Sequence, residues 1–292
     1  MTTETQQPIH SFNSEGQVMT LAVANGFPVQ TYTPLVRYFT ANYRVLGMPP
    51  RALWHLYDAP PQSPPTAIKP WNKTLAVDLL NGLREHNLHD VIAVGHSFGG
   101  VATLVAVIND PTRFKAVILL DPTILPRFML AGMWLNQKLG TDWNNILAQR
   151  AEKRRNTFES NEAAHEYFQG KRLFADWHPD AMRGYTDPMP PVDPSQSDGE
   201  VTLAWPRAWE AYYFRTIHTG VWGDLPRLRA TGLPILLIRG GTSDTLTDDA
   251  AARIRKIMPD ATYHEVDGHG HLFPQSAPDQ TADIINEWLK RL

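Results

Sequence analysis

Short apolar runs punctuate this chain at intervals, each closed by glycine, aspartate or proline. Residues 91–94 read Val-Ile-Ala-Val, residues 116–120 Ala-Val-Ile-Leu-Leu, and residues 234–239 open on Pro-Ile-Leu-Leu-Ile. Runs this short, rich in β-branched residues and bounded by turn formers, predict strands buried on both faces. Residues 18–24, 43–46 and 262–266 predict further strands, with one short edge strand near 9–12 in a loose amino-terminal arm. Between them the period changes. Apolar residues at 75, 76, 79, 80 and 83 recur at helical spacing, which predicts a helix over 75–86. Helices are also expected over 32–40, 101–108 and 248–258. A last one over 279–292 would bury Ile284, Ile285, Trp288 and Leu289. Strands alternating with helices imply a mostly parallel sheet covered on both faces.

The pattern breaks between residues 124 and 232. This stretch carries tryptophan at 134, 143, 177, 205, 209 and 222 amid mixed charge, with helical patches and no clear strand. It is expected to be a helical cap inserted over the carboxyl edge of the sheet, dividing a core of residues 1–123 and 233–292. Trp205, Trp209, Tyr212, Tyr213 and Phe214 are dense enough to line an apolar cleft, although packing of the cap onto the core would use the same residues. Prolines cluster at 49–65 and 188–194 and predict irregular loops there.

Composition narrows the chemistry. The 292 residues include 42% hydrophobic and 20% charged positions, enough for a sizeable core. A net charge of −3 gives no reason to expect nucleic acid or an anionic membrane as partner. The absence of cysteine removes disulfides, thiolate catalysis and cysteine-held metals together. No secretory signal and no membrane-spanning run is visible, so a cytoplasmic location is the default expectation. A homodimer is compatible with the chain.

One stretch carries a reaction. The strand at 91–94 runs into Gly95-His96-Ser97-Phe98-Gly99, followed by Gly100 and the helical run. Strand, Gly-x-Ser-x-Gly turn and helix form the context of a nucleophile elbow. A serine at the tip of so sharp a turn needs neighbours without bulk two positions away on either side, which Gly95 and Gly99 supply. A hydroxyl is a weak nucleophile until a base takes its proton. Two later loops offer partners: Gly240-Gly241-Thr242-Ser243-Asp244 after one strand, and Asp267-Gly268-His269-Gly270-His271 after the last.

Together these segments resemble the α/β-hydrolase family, in its lid-bearing, esterase-like form, over nearly the whole chain apart from the insertion. The resemblance implies an α/β-hydrolase fold with the lid after the sixth-strand position. It implies a catalytic set of Ser97, Asp244 and His271. His271 fits the family's small-x-Gly-His pattern and His269 does not. Asp121, at the sixth-strand end where some hydrolases keep their acid, is the main rival to Asp244. Its position before Pro122 also suits simple turn chemistry. Asp248 and Asp249 suit the first turn of the following helix. The resemblance further implies an oxyanion hole from the backbone N–H groups of Phe98 and Phe27, the latter in Asn25-Gly26-Phe27-Pro28. The family's usual His-Gly opening is Asn25-Gly26 here, and its Arg-Gly-x-Gly segment is replaced by the proline loop.

A serine at this position argues for acyl transfer, with hydrolysis of an apolar small-molecule carboxylic ester as the default and no cofactor or metal. The same residues would serve a carbon–carbon bond hydrolase, a lactonase or a cofactor-free perhydrolase. Metal-dependent hydrolysis would need more than His269-Gly-His271 with His264. A non-catalytic binding protein on the same fold would be expected to have lost one of the three residues.

Overall fold

The computed structural model describes residues 6–141, 143, 145–195 and 199–292; residues 1–5 of the expected arm lie outside them. The buried apolar runs become the strands of one sheet. In chain order the elements begin with β1 (His10–Ser11), β2 (Gln17–Ala22), α1 (Thr33–Val36), β3 (Tyr43–Gly47), α2 (Leu75–Glu85), β4 (Val91–His96), α3 (Phe98–Asn109) and β5 (Phe114–Leu120). The middle segment forms α4 (Arg127–Leu139), α5 (Ile146–Lys153), β6 (Thr157–Phe158), α6 (Asn161–Gln169), α7 (Pro179–Thr186), β7 (Val201–Thr202), α8 (Arg207–Arg215) and α9 (Val221–Arg229). The chain ends with β8 (Ile235–Gly240), α10 (Asp248–Ile257), β9 (Thr262–Val266), α11 (Phe273–Ser276) and α12 (Pro278–Leu289).

Seven strands order as β1-β3-β2-β4-β5-β8-β9. Only β1 runs antiparallel to its neighbour; the other pairs are parallel. Parallel strands need crossovers that bury both faces, and β4, β5 and β8 are buried almost throughout. Their carboxyl ends lie side by side, since His96 pairs with Leu120, which in turn pairs with Ile238. The loops that follow these three strands therefore emerge together.

Two local expectations change. The helix expected over 32–40 is a 3₁₀ turn followed by the four-residue α1, and the chain then turns back into β3. The proline loop contains a 3₁₀ turn at Arg51–Tyr57, where Arg51 makes two bonds of 2.7 Å to the buried Asp78 carboxylate.

The segment between β5 and β8 is mostly helical, with β6 and β7 as a separate two-stranded pair. It has two packing regimes. Residues around α6 and α7 form their own apolar cluster with Phe158, Phe168, Trp177 and Tyr185. The later residues Trp205, Trp209, Tyr213, Trp222 and Leu225 belong to the same cluster as the sheet. Of the five aromatics grouped near 205–214, Trp205, Trp209, Tyr212 and Tyr213 are buried, and Trp205 and Tyr213 pack against Phe98 behind the serine turn. Packing, not cleft lining, is the place of these four, whereas Phe214 lines the cavity in front of Ser97. Among the described residues no helix is long and apolar enough to cross a membrane.

Candidate active site

The turn after β4 shows why its glycines are there. Ser97 adopts φ 59° and ψ −121°, a conformation that L side chains avoid and that persists only where the surroundings enforce it. The enforcement is close packing. A Cβ on Gly95 would lie 2.6 Å from the carbonyl oxygen of Gly99, and one on Gly99 would collide with the carbonyls of Ala22 and Val23 in the neighbouring strand segment. The Ser97 N–H donates to the Leu120 carbonyl at 3.0 Å and its own carbonyl accepts from Thr123 N–H at 3.1 Å. The turn is thus tied to the end of β5 on both sides.

Ser97 Oγ lies 2.8 Å from His271 Nε2, and His271 Nδ1 lies 2.6 Å from Asp121 Oδ2. Asp121 is fully buried. Its Oδ1 accepts the Gly240 N–H at 2.9 Å and its Oδ2 accepts the Ser243 hydroxyl at 2.5 Å. An ionised carboxylate only accepts, so Nδ1 of His271 carries the proton and Nε2 is left to accept from the serine. Thr123 Oγ1 also reaches Ser97 Oγ, at 3.2 Å.

This arrangement corrects the expected acid. Asp244 is exposed and its bond is to Thr245 next to it, while the carboxylate on the imidazole is Asp121. The physical reason lies in the loop after β8. Gly240-Gly241-Thr242-Ser243 brings Ser243, not Asp244, to the end of β5, where its hydroxyl fastens Asp121. Asp121 itself sits at φ 39°, a left-handed conformation that aspartate tolerates better than most residues. The sequence signal was an aspartate closing the apolar run 116–120, beside the strand that leads into Ser97, and its proximity to Pro122 disguised it as a turn residue.

His96, the variable residue inside Gly-His-Ser, was not singled out from sequence and has a defined task. It is fully buried, and burial together with neighbouring His271 holds its imidazole well below the usual histidine range, so it is neutral. Its Nε2–H donates to the His271 carbonyl at 2.9 Å. Its Nδ1 accepts from the Tyr32 hydroxyl at 2.6 Å, and that hydroxyl accepts the Ala24 N–H at 2.9 Å. One chain of hydrogen bonds therefore links the loop after β2 to the backbone of the histidine that faces Ser97. Burial pushes the Tyr32 phenol well above its ordinary range, which keeps it a donor.

The amides expected to receive an oxyanion differ in availability. Phe98 opens α3, where first-turn N–H groups have no partner within the helix. Phe27 N–H is directed to the Ala24 carbonyl at 3.3 Å. Among the described residues the Asn25 N–H has no acceptor, and Asn25 lines the cavity in front of Ser97. His269, the rejected alternative base, bonds Ser276 Oγ at 2.9 Å through Nδ1.

Ser97 and His271 open onto a cavity of about 700 Å³. Phe27, Trp71 and Phe98 form its floor side, and Met129, Met133 and Phe214 come from the middle segment. The wall is mixed: Arg150, Arg155, Lys171 and Asp244 also line it, and one buried polar cluster stands among them. Arg154 bonds both Glu210 Oε1 and, at 3.0 Å, the Tyr185 hydroxyl, and Glu210 lies against Gly26 of the loop after β2. Burial raises Glu210 above the usual carboxylate range while Arg154 pulls it back. Among the described residues its Oε2 has no hydrogen-bond partner.

Known proteins share this frame. The curated ethanol acetyltransferase 1 of Hanseniaspora uvarum is 21% identical over 229 residues, a stretch that spans 75% of this chain and 65% of that protein's length. The solved E-2-(acetamidomethylene)succinate hydrolase superposes with a TM-score of 0.71 at 20% identity, covering 97% of this chain and 94% of that one. A thermophilic esterase from Thermogutta terrifontis gives 0.66 at 15% identity, covering 97% and 93%. At these identities the structures report the shared fold alone. The sequence pattern of the alpha/beta hydrolase family matches residues 22–284, and the chain belongs to that family.

Proposed function

We propose that the protein is a serine hydrolase that cleaves carboxylic esters of apolar small molecules through an acyl-enzyme. The observation that carries this reading is the unbroken line Ser97 Oγ to His271 Nε2 at 2.8 Å and His271 Nδ1 to Asp121 at 2.6 Å, facing a cavity of substrate size. His271 accepts the hydroxyl proton as Ser97 attacks the carbonyl carbon, and Asp121 stabilises the imidazolium that forms. His271 then protonates the departing alkoxide, and water attacks the acyl-serine with the same imidazole as base. The oxyanion rests on the Phe98 amide and on the loop after β2, where Asn25 N–H replaces Phe27 as the second donor because it is uncommitted. Each donor of this type is worth about 10²–10³ in turnover. The segment from residue 124 to about 204 acts as the cap, and its part from Phe158 onward holds its own apolar cluster. The part from 205 to 232 belongs with the core.

The resemblance to an acetyltransferase supports a variant of the same chemistry, in which an alcohol in place of water accepts the acyl group. The apolar side chains around Ser97 suit a small alcohol as well as a leaving group. Labelling with a fluorophosphonate tests the activated serine: wild type reacts and Ser97→Ala does not. Folded wild type that fails to react ends the proposal. A chain-length series of p-nitrophenyl esters then sizes the acyl pocket, and product analysis with added ethanol divides transfer from hydrolysis.

A further inference from the structure

Eight of the thirteen large apolar side chains exposed among the described residues fall between positions 128 and 147. On α4 they follow the helical period but face outward. Phe128, Leu135 and Leu139 are 78%, 50% and 65% exposed, with Ala131 and Gly132 completing the same stripe. A Cβ on Gly132 would meet nothing within 4 Å. The opposite face holds the helix down. Leu130 is buried, and Gln137 donates to the carbonyls of Arg215 and Ile217 at 3.0 and 2.8 Å. The apolar stripe is therefore the outer surface of an anchored helix. Trp143, 77% exposed, and the exposed Ile146 and Leu147 extend it into α5.

A contiguous apolar surface of this kind marks an interaction site, and its flanking charge says what covers it. Between Asp121 and Glu152 the sequence carries Arg127, Lys138 and Arg150 against the single acid Asp142. Lys138 lies 6.0 Å from the Trp134 ring centre, a pairing of cation and aromatic suited to a headgroup region. A second copy of the chain would meet the same patch across a twofold axis and bring like charges together. An anionic lipid surface complements them. The net charge of the whole chain concealed this local excess. The patch is also continuous with the cavity, since Met129, Met133, Leu147 and Arg150 line it.

We propose that α4, together with Trp143, Ile146 and Leu147, docks on the surface of an anionic lipid bilayer, with α4 lying along the interface and the cavity mouth turned toward the lipid. The arrangement is that of an amphipathic helix whose apolar face enters the headgroup boundary. Apolar substrates dissolved in the bilayer then reach Ser97 without crossing water.

Flotation with phosphatidylcholine vesicles, with and without phosphatidylglycerol, tests this, read together with tryptophan emission. Wild type should float with the anionic vesicles and shift its emission to the blue. The combined variant Phe128→Ser, Leu135→Ser, Leu139→Ser should partition about tenfold or more weaker. These three side chains are exposed and lie outside the cavity lining, so circular dichroism and fluorophosphonate labelling of the variant should match wild type. Wild type that floats with neither vesicle overturns the proposal, as does a variant that floats equally well. Light scattering that shows a wild-type dimer and a monomeric variant assigns the patch to self-association instead. None of these readouts depends on the protein hydrolysing an ester.

Discussion

Replacing Asp121 by Asn tests the reasoning about the site most directly. The carboxylate accepts three hydrogen bonds, from His271 Nδ1, Gly240 N–H and Ser243 Oγ, and none of it is exposed. The amide of Asn is nearly isosteric. Its oxygen can keep the Gly240 N–H, which leaves its NH₂ group facing His271 and Ser243. A donor in that position cannot receive the Nδ1 proton. The imidazole then adopts the other tautomer, with hydrogen on Nε2, and can no longer take the proton of Ser97. Loss of the orienting acid by this route costs about 10⁴-fold in turnover, which corresponds to about 5.4 kcal/mol of barrier. Ser243 Oγ already accepts the Thr245 and Leu246 N–H groups, so its hydroxyl loses its acceptor. A loss of about 1–3 kcal/mol of stability is expected, short of unfolding the chain. The assay is p-nitrophenyl ester hydrolysis at saturating substrate, with thermal unfolding in parallel and Asp244→Asn as the companion. Asp244→Asn should stay within a few-fold of wild type. A folded Asp121→Asn enzyme that keeps a tenth of its activity, or a collapse in Asp244→Asn, would refute the assignment of the acid.

Tyr32→Phe removes one hydroxyl and leaves Ala24 N–H and His96 Nδ1 without partners in a buried site. At about 1–3 kcal/mol for each unsatisfied group, chemical denaturation should show a loss of several kcal/mol, and unchanged stability would remove the hydrogen-bond chain from the account. Arg154→Ala strips the partner from the buried Glu210 carboxylate, a change of the type that costs about 3–5 kcal/mol near neutral pH. Burial already raises Glu210, so the folded chain holds that proton more tightly than the unfolded one. Its contribution favours folding below the unfolded carboxylate range and is lost as pH rises through the folded value. Without Arg154 the folded value climbs further, so the gap between variant and wild type should narrow as pH falls in denaturation curves; a gap independent of pH contradicts the buried-pair reading. Gly99→Ala drives a methyl group into the Ala22 and Val23 carbonyls. Overpacking of this kind costs about 1–3 kcal/mol, and a loss of both melting temperature and fluorophosphonate labelling is expected.

Several parts of this design were legible from residue order because their physics is local. The buried apolar runs named the strands that carry the site. Gly95 and Gly99 flanked the serine because a turn with φ near 59° at Ser97 leaves no room for side chains two positions away. His271 was legible too, as a short glycine-bounded loop after the last strand. The helix expected over 32–40 was not: a 3₁₀ turn and one helical turn stand there, a change of winding that apolar spacing does not encode.

The carboxylate on His271, the uncommitted amide of Asn25 and the exposed stripe on α4 depend on what folding brings together. Asp121 and Asp244 each follow a strand that ends at the same edge, and Pro122 beside Asp121 reads as turn chemistry, so their neighbours along the chain favour the wrong one. The choice came from the loop after β8, which presents Ser243 to Asp121 and leaves Asp244 in solvent. Nothing in the sequence of α4 says which of its faces is anchored; Leu130 and Gln137 hold one face down and leave the apolar stripe on the other exposed. Sequence determined where the sharp serine turn and the glycine-bounded histidine loop fall, because backbone clearance and strand burial are decided within a few positions. Tertiary structure decided which carboxylate meets the imidazole and which helix face meets solvent, because those contacts join residues far apart in the chain.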